Sequence, residues 1–244
     1  MRRPSPSAAL YVLGSCLYVA AAVLLLPPYI GTRFAASIAL FVAGSVLYVL
    51  AAILDLQGAV TAARRRSATE AGALSQPLRG EAPPESSWRP LRCAEEYESL
   101  TCCALYAFGG SLFLAGSVLY LPSLGLDNAG TLTFRAGSCA YISGSACGAV
   151  RALQAPRRGQ PPPQWNALGL SALAQFVCGS CLFITGGAEF QSGRARAGAI
   201  AWLVGSIAFF TGSLSSAVAA GLKDPPPAEE IVAAEAGRDE AEEL

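Results

Sequence analysis

The chain has no histidine and a single methionine in 244 residues, and only 14% of those residues are charged. Soluble domains carry about 25% charged residues. Without histidine there is no imidazole base, no histidine metal ligand and no Ser–His pair. Neither the phosphate-cradling G-x-x-x-x-G-K-[ST] pattern nor the nucleophile-elbow G-x-S-x-G pattern occurs. Seventeen basic residues balance seventeen acidic ones, so no bulk field draws the chain to nucleic acid. No catalytic, cofactor-binding or metal-binding residue is assigned, and the chain is not expected to be an enzyme.

What is present is apolar length. Hydrophobic residues make up 53% of the chain, and the charge deficit is concentrated in long uncharged runs. A hydrocarbon core about 30 Å thick needs roughly 20 apolar residues of helix. Six stretches meet that need, at 8–26, 34–56, 100–121, 131–153, 165–188 and 197–222. The expected fold is therefore all-α and polytopic, with six transmembrane helices in three tandem helical hairpins. Arg2 and Arg3 before the first run raise the possibility of a cleaved signal. The length of that run, and the pattern it shares with the other five, favour a retained span.

That pattern is a seam of rings and notches. Each run contains one anchor glycine: Gly14, Gly44, Gly109, Gly137, Gly179 and Gly205. Three residues before the anchors stand Tyr11, Phe41, Tyr106, Phe134, Phe176 and Trp202. Four residues after them stand Tyr18, Tyr48, Phe113, Tyr141, Phe183 and Phe209. Aromatics are 9% of the chain, yet they fill all twelve of these positions. Seven residues after the anchors the side chains are again small: Ala21, Ala51, Gly116, Gly144, Gly186 and Gly212. Seven before, they are Ser7, Ser37, Cys102, Gly130, Ala172 and Gly198.

Alternating steps of three and four put these residues on one helix face, with a notch about every 10.5 Å. In lipid, tails are as apolar as side chains, so helices associate through close backbone approach over small residues. A ring from one helix is expected to fill the hollow at a neighbour's glycine. Serine follows the anchor in five helices (Ser15, Ser45, Ser138, Ser180, Ser206), where its hydroxyl can bond back to its own helix. No position of the seam carries a charge.

The anchors pair at separations of 30, 28 and 26 residues, as a helix, a short turn and a returning helix require. Pro27 and Pro28, the stretch PSLGLDNAG and the run Gln191-Ser192-Gly193 supply the turns. The chain then divides into hairpin 1 (1–56), a partly disordered linker (57–99) and hairpin 2 (100–153). A short loop (154–164), hairpin 3 (165–222) and an acidic tail (223–244) follow. The three hairpins would surround a pseudo-threefold axis or pack as a layered bundle.

The unit written FRAGSCAYISGS at 134–145 and FVCGSCLFITGG at 176–187 resembles the YrhK-like family of membrane proteins. Its members are short two-helix membrane segments with this aromatic and Gly–Ser spacing. The resemblance covers about 150 residues, chiefly the second and third hairpins. Hairpin 1 departs from it, with Ala21-Ala22 and Ala51-Ala52 where Gly–Ser is expected. The resemblance implies no catalytic residues, and the family's function is unassigned.

Thirteen of the seventeen Lys and Arg residues fall at the N-terminus, in 57–99, in 151–164 and in the tail. The other four are Arg33, Arg135, Arg194 and Arg196. That bias places both termini on the cytoplasmic or equivalent side. Arg64-Arg65-Arg66 reads as an ordinary basic flank, 64–90 as disordered for want of apolar residues, and 91–99 as an extension of the third helix. The tail, with eight acidic residues against two basic, reads as solvated, or as a docking site for a basic partner.

Cys16, Cys139 and Cys181 share the slot two residues past an anchor, which argues that they, and the Cys178-x-x-Cys181 spacing, serve packing rather than redox or metal chemistry. Cys93, Cys102 and Cys103 lie near the cytoplasmic face, where palmitoylation is possible. Ionisable residues near the spans are few: Asp55 and Arg151 inside, Arg135 and Glu189 outside, the last two placed to pair. Gln175 is the one strongly polar side chain near a helix middle.

The expected function is that of an integral membrane protein with a structural or interaction role built on Gly–aromatic helix packing. The alternative is a passive channel or small-solute transporter with a Ser-lined path between hairpins. The expected partners are the lipid bilayer and a second copy or another membrane protein.

Overall fold

The computed structural model describes residues 5–27, 30–74, 89–154 and 166–223, with side chains at 5–27, 33–65, 67–68, 98–154 and 167–220. Six helices account for nearly all of them: α1 Pro6–Leu24, α2 Ile30–Leu74, α3 Arg89–Leu119, α4 Asp127–Gln154, α5 Asn166–Gln191 and α6 Ala195–Lys223. Ser5 caps α1 by accepting from the Ala8 amide at 3.2 Å, with Pro6 in the first turn. α5 ends where Gly193 takes φ +76°. There the Arg194 amide donates to the Glu189 carbonyl (2.9 Å) and the Gly193 amide to that of Phe190 (3.1 Å). That pair of bonds satisfies the last carbonyls of a helix that must reverse within three residues. Between α3 and α4, the Tyr120 amide donates to the Gly116 carbonyl (3.1 Å) and the Leu121 amide to that of Val118 (3.0 Å), Pro122 stops the helix, and Gly125 turns the chain at φ +62°.

Each helix packs against its neighbours in the chain, and α6 closes the circle on α1. Among the described residues no other pair of helices approaches at the backbone. The three hairpins thus form a closed ring of six alternating helices about one axis. This settles the arrangement that helix spacing alone left open: a ring, not a layered bundle.

The burial pattern is that of a membrane protein. Ser15, Ser45, Ser117, Ser138, Ser180 and Ser206 are fully buried, while Leu13, Leu50, Phe108, Leu132, Val204 and Leu214 lie exposed on the rim of the ring. Small polar residues inside and branched aliphatics outside follow when lipid, not water, surrounds the fold. Five of the six helices are long and apolar enough to cross a membrane. The exception is α4, so the expected count of six is reduced by one on that criterion. Its glycines, serines and threonines lower its hydropathy, but Thr131, Ser138 and Ser145 are buried against its neighbours.

α2 corrects the expected end of hairpin 1 at residue 56. It continues unbroken to Leu74, so the first part of the expected linker, including Arg64 and Arg65, is helical. Residues 57–74 are rich in Ala and Arg, and they extend a helix already nucleated by packing. The extension adds roughly 27 Å. α3 begins at Arg89, within reach of the expected extension over 91–99. The remainder of the linker (75–88), residues 155–165 and the acidic tail beyond Lys223 lie outside the described residues, as does the side chain of Cys93.

Candidate functional site

The centre of the ring is built by the seam. Anchor glycines cross in pairs within each hairpin, and each takes a ring from its partner. A Cβ placed on Gly14 would stand 2.8 Å from the Tyr48 ring and 3.0 Å from the Gly44 carbonyl; on Gly44 it would meet Tyr18 at 2.8 Å. In hairpin 2, Gly109 lies under Tyr141 (2.6 Å) and Gly137 beside Phe113 (3.1 Å). In hairpin 3, Gly179 lies under Phe209 (2.5 Å), and Gly205 beside the Gly179 carbonyl (3.1 Å) and Phe183 (3.7 Å).

One heptad away, Gly116 takes Phe134 (2.6 Å), Gly144 takes Tyr106 (3.3 Å), Gly212 takes Phe176 (3.1 Å) and Gly186 takes Trp202. In hairpin 1, where alanine replaces glycine, Ser37 instead donates to the Ala21 carbonyl at 2.8 Å. Tyr11 stands edge-on to Tyr48 (5.1 Å between centroids), and Phe41 lies against Tyr18 (5.6 Å).

The rings then meet across the axis. Phe113 of α3 reaches Phe209 of α6, on the opposite side of the circle, with centroids 6.2 Å apart; Tyr120 reaches Trp202 at 5.6 Å. Tyr18 touches Phe183 at 6.3 Å, and Phe41 touches Phe134 at 6.4 Å. Phe134 and Trp202 stack at 5.3 Å and 15°. A column of aromatic rings occupies the place where an axial pore would run.

At the ring slot four residues past the anchors, the hydroxyls of this column are paired in hairpin 1 alone, although Tyr106 of hairpin 2 bonds to Ser145 at 2.9 Å further along. Tyr48 shares a hydrogen bond with Ser15 (2.5 Å) and Tyr18 one with Ser45 (2.9 Å). Ser15 and Tyr48 also meet Ser213 of α6, each at 3.1 Å. In hairpin 2 the equivalent residues are Phe113 opposite Ser138, and Tyr141 opposite Gly110. In hairpin 3, Phe209 stands opposite Ser180. The hydroxyls of Ser138, Tyr141 and Ser180 are buried without a hydrogen-bond partner, because each faces a residue that lacks the matching group. Bonding back to the helix therefore serves Ser15 (to Tyr11, 2.8 Å) and Ser206 (to Trp202, 2.8 Å), but not all five serines.

The slot two residues past each anchor faces outward. Cys16, Cys139 and Cys181, with Cys178, are exposed, so the packing role expected for them is corrected: they lie on the lipid-facing surface. A turn angle of about 200° from the anchor carries that slot away from the seam. Cys102 instead faces inward and donates to the Gly144 carbonyl at 3.3 Å. Among the described residues no group of three or more His, Cys, Asp or Glu side chains is placed to hold a metal ion.

The outer polar residues also differ from expectation. Arg135 donates to Gln191 at 2.9 Å rather than to Glu189, and Glu189 forms its ion pair with Arg194 across the turn. The short turn places Arg194 against Glu189, and Arg135 is left to Gln191. Gln175 donates to Ser171 at 2.9 Å, with its carbonyl oxygen buried and unpartnered.

At the turn end of the ring the column opens into a cavity of about 330 Å³. Ile38, Tyr120, Thr131 and Trp202 are its buried floor; Phe34 and Phe190 stand higher; Asp127, Asn128 and Gln191 form the exposed rim. Tyr120 and Thr131 share a hydrogen bond of 2.5 Å, and the Trp202 indole N–H donates to the Phe183 carbonyl at 3.1 Å. Their polar atoms are thus engaged with protein, and both rings are themselves buried, Tyr120 to 6% and Trp202 to 2% exposure.

This mouth lies one heptad beyond the seam of rings and anchor glycines. Continuing the ring slots outward by seven residues reaches Tyr120 just past α3, Phe190 on α5, and Phe34 and Asp127 on α2 and α4. On α6 the slot is Ala195. A carboxylate and a methyl where rings are otherwise found explain why the column is open here. No family model matches the chain, and no curated protein or solved structure matches it.

Proposed function

We propose that this all-α membrane protein is a non-catalytic structural or interaction protein that acts through its surfaces. One observation carries the reading: rings from opposite helices touch along the axis, so the interior is given over to holding six helices together. A path between hairpins would have to break contacts such as Ser45 with Ser117 (3.5 Å) and Ser15 with Ser213, which opposes the channel alternative. The small-residue crossings favour a rigid bundle, and the exposed aliphatic rim favours lipid as the medium.

The same proposal takes the three hairpins as tandem repeats akin to YrhK-like units, on the strength of the motif they share. It places the start of α1 and the end of α6 on the Arg-rich, cytoplasmic-equivalent side. A second copy or another membrane protein would dock on the outer face.

The test is flux. Vesicles reconstituted with the full chain should stay as tight as protein-free vesicles to protons, potassium, glycerol and urea. Protein-dependent passage of any of them overturns the reading in favour of a transporter. Accessibility of single engineered cysteines on either side of the vesicle reads the orientation.

A further inference from the structure

We propose that the outer cavity is a binding site for a small organic cation of the quaternary ammonium type. Three observations converge on it. First, the hollow has the size and make-up of a ligand site: about 330 Å³, an apolar floor and a few polar groups at its rim. Residues from α2, α4, α5 and α6, with Tyr120 just past the end of α3, hence from all three hairpins, meet there.

Second, four of its walls are aromatic. Tyr120 and Phe190 stand at 81° and 67° to Trp202, with centroids 5.6 and 4.9 Å away, and Phe34 lies on the near side. Trp202 is 2% exposed and stacks on Phe134, so it backs the hollow; the half-buried Phe34 and Phe190 offer the ring surface whose negative potential attracts a cation with little hydration to lose.

Third, among the described residues the one charged lining side chain is Asp127. Its carboxylate makes no ion pair or side-chain hydrogen bond among the described residues. Of the neighbouring charges, Arg135 donates to the rim residue Gln191, which leaves its own charge uncompensated there among the described residues, and Glu189 pairs with Arg194. An unpaired carboxylate above an aromatic floor selects positive charge carried on an apolar body. Asn128 and Gln191 remain at the rim for a hydroxyl or phosphate attached to that cation. A free ammonium compound and the choline headgroup of a lipid share this chemistry.

The test uses the full chain in maltoside detergent with Trp88→Phe and Trp165→Phe, which leaves Trp202 as the single indole. Choline and tetramethylammonium should each produce a saturable change in Trp202 emission. The uncharged isostere of choline, 3,3-dimethyl-1-butanol, should bind at least tenfold more weakly. Asp127→Asn should weaken choline binding at least tenfold while leaving Tm unchanged, since Asp127 lies exposed on the rim.

A thermal-shift titration of the unaltered chain reads the same preference without the tryptophan replacements. In nanodiscs, phosphatidylcholine that blocks the choline response while phosphatidylglycerol leaves it intact identifies the headgroup as ligand. A response intact in both identifies the free cation. No saturable response, equal binding of the neutral isostere, or an Asp127→Asn variant of unchanged affinity overturns the proposal.

Discussion

Gly179→Ala and Gly169→Ala are the same chemical change on the same helix, and the structure assigns them opposite signs. At Gly179 the new methyl would stand 2.5 Å from the Phe209 ring and 2.9 Å from the Gly205 carbonyl oxygen. The ring can yield; the carbonyl belongs to the facing backbone, so α5 and α6 must move apart at their crossing. Overpacking of this kind costs about 2–3 kcal/mol. Alanine's higher helix propensity offsets about 1 kcal/mol of it, which leaves a net loss of about 1–2 kcal/mol. At roughly 2–4 °C per kcal/mol for a chain of this size, Tm in detergent should fall by about 2–8 °C. At Gly169 nothing lies within 4 Å of the added Cβ, so only the propensity gain remains. Its Tm should hold or rise, by up to about 4 °C. Gly179→Leu should be worse than Gly179→Ala and should reduce the yield of folded protein. Equal Tm shifts for the two alanine variants, or a stabilised Gly179→Ala, would refute the claim that glycine hollows exist to seat rings.

Two further outcomes follow from the hydroxyls and the cysteines. A Cβ on Gly110 would sit 3.6 Å from the unpartnered Tyr141 hydroxyl and in ordinary contact with Val49. Gly110→Ser should therefore supply the partner that Ser15 gives Tyr48, stabilising by about 0.6 kcal/mol, with about 1.7 kcal/mol as the upper end for an interhelical bond in a membrane. The hydrogen-bond part of that gain should vanish in a Tyr141→Phe background, as a double-mutant cycle of thermal unfolding would show. Phe113→Tyr should likewise engage Ser138, and its loss in a Ser138→Ala background is the check. Because Cys178 and Cys181 lie on the outer face, their replacement by alanine should change stability by no more than about 0.5 kcal/mol. A lipid-soluble maleimide should label both before Cys102 reacts.

Much of this architecture was legible before any coordinates. Heptad-spaced rings and notches share a face because 3.6 residues make a turn, and this holds whatever the helix later meets. Hence Gly14, Gly109 and Gly179 could be named as contact points from spacing alone. The register within a hairpin was legible as well, since an antiparallel return with a short turn leaves one way to lay Gly44 over Gly14. Less legible was the use made of each slot. Nothing in its local sequence distinguishes Ser138 from Ser45; only the residue opposite, Phe113 in one case and Tyr18 in the other, decides whether the hydroxyl is bonded. The Arg135–Glu189 pair failed for a similar reason. Both residues were placed at the right end, but Arg194 stands five residues from Glu189 across a tight turn and engages it first. Asp127 was not legible as a site residue because it lies one heptad beyond the two ring slots that each helix carries.

The amino-acid order alone determined that the chain is helical and apolar, that its helices return on one another, and which face of each is small and aromatic. These are properties of consecutive residues, set by turn chemistry and helical period. Tertiary structure alone decided that α6 closes on α1, that Phe113 meets Phe209 across a filled axis, and that Asp127 stands above Trp202. Those contacts join residues far apart in the chain, and they exist only once all six helices share a common centre.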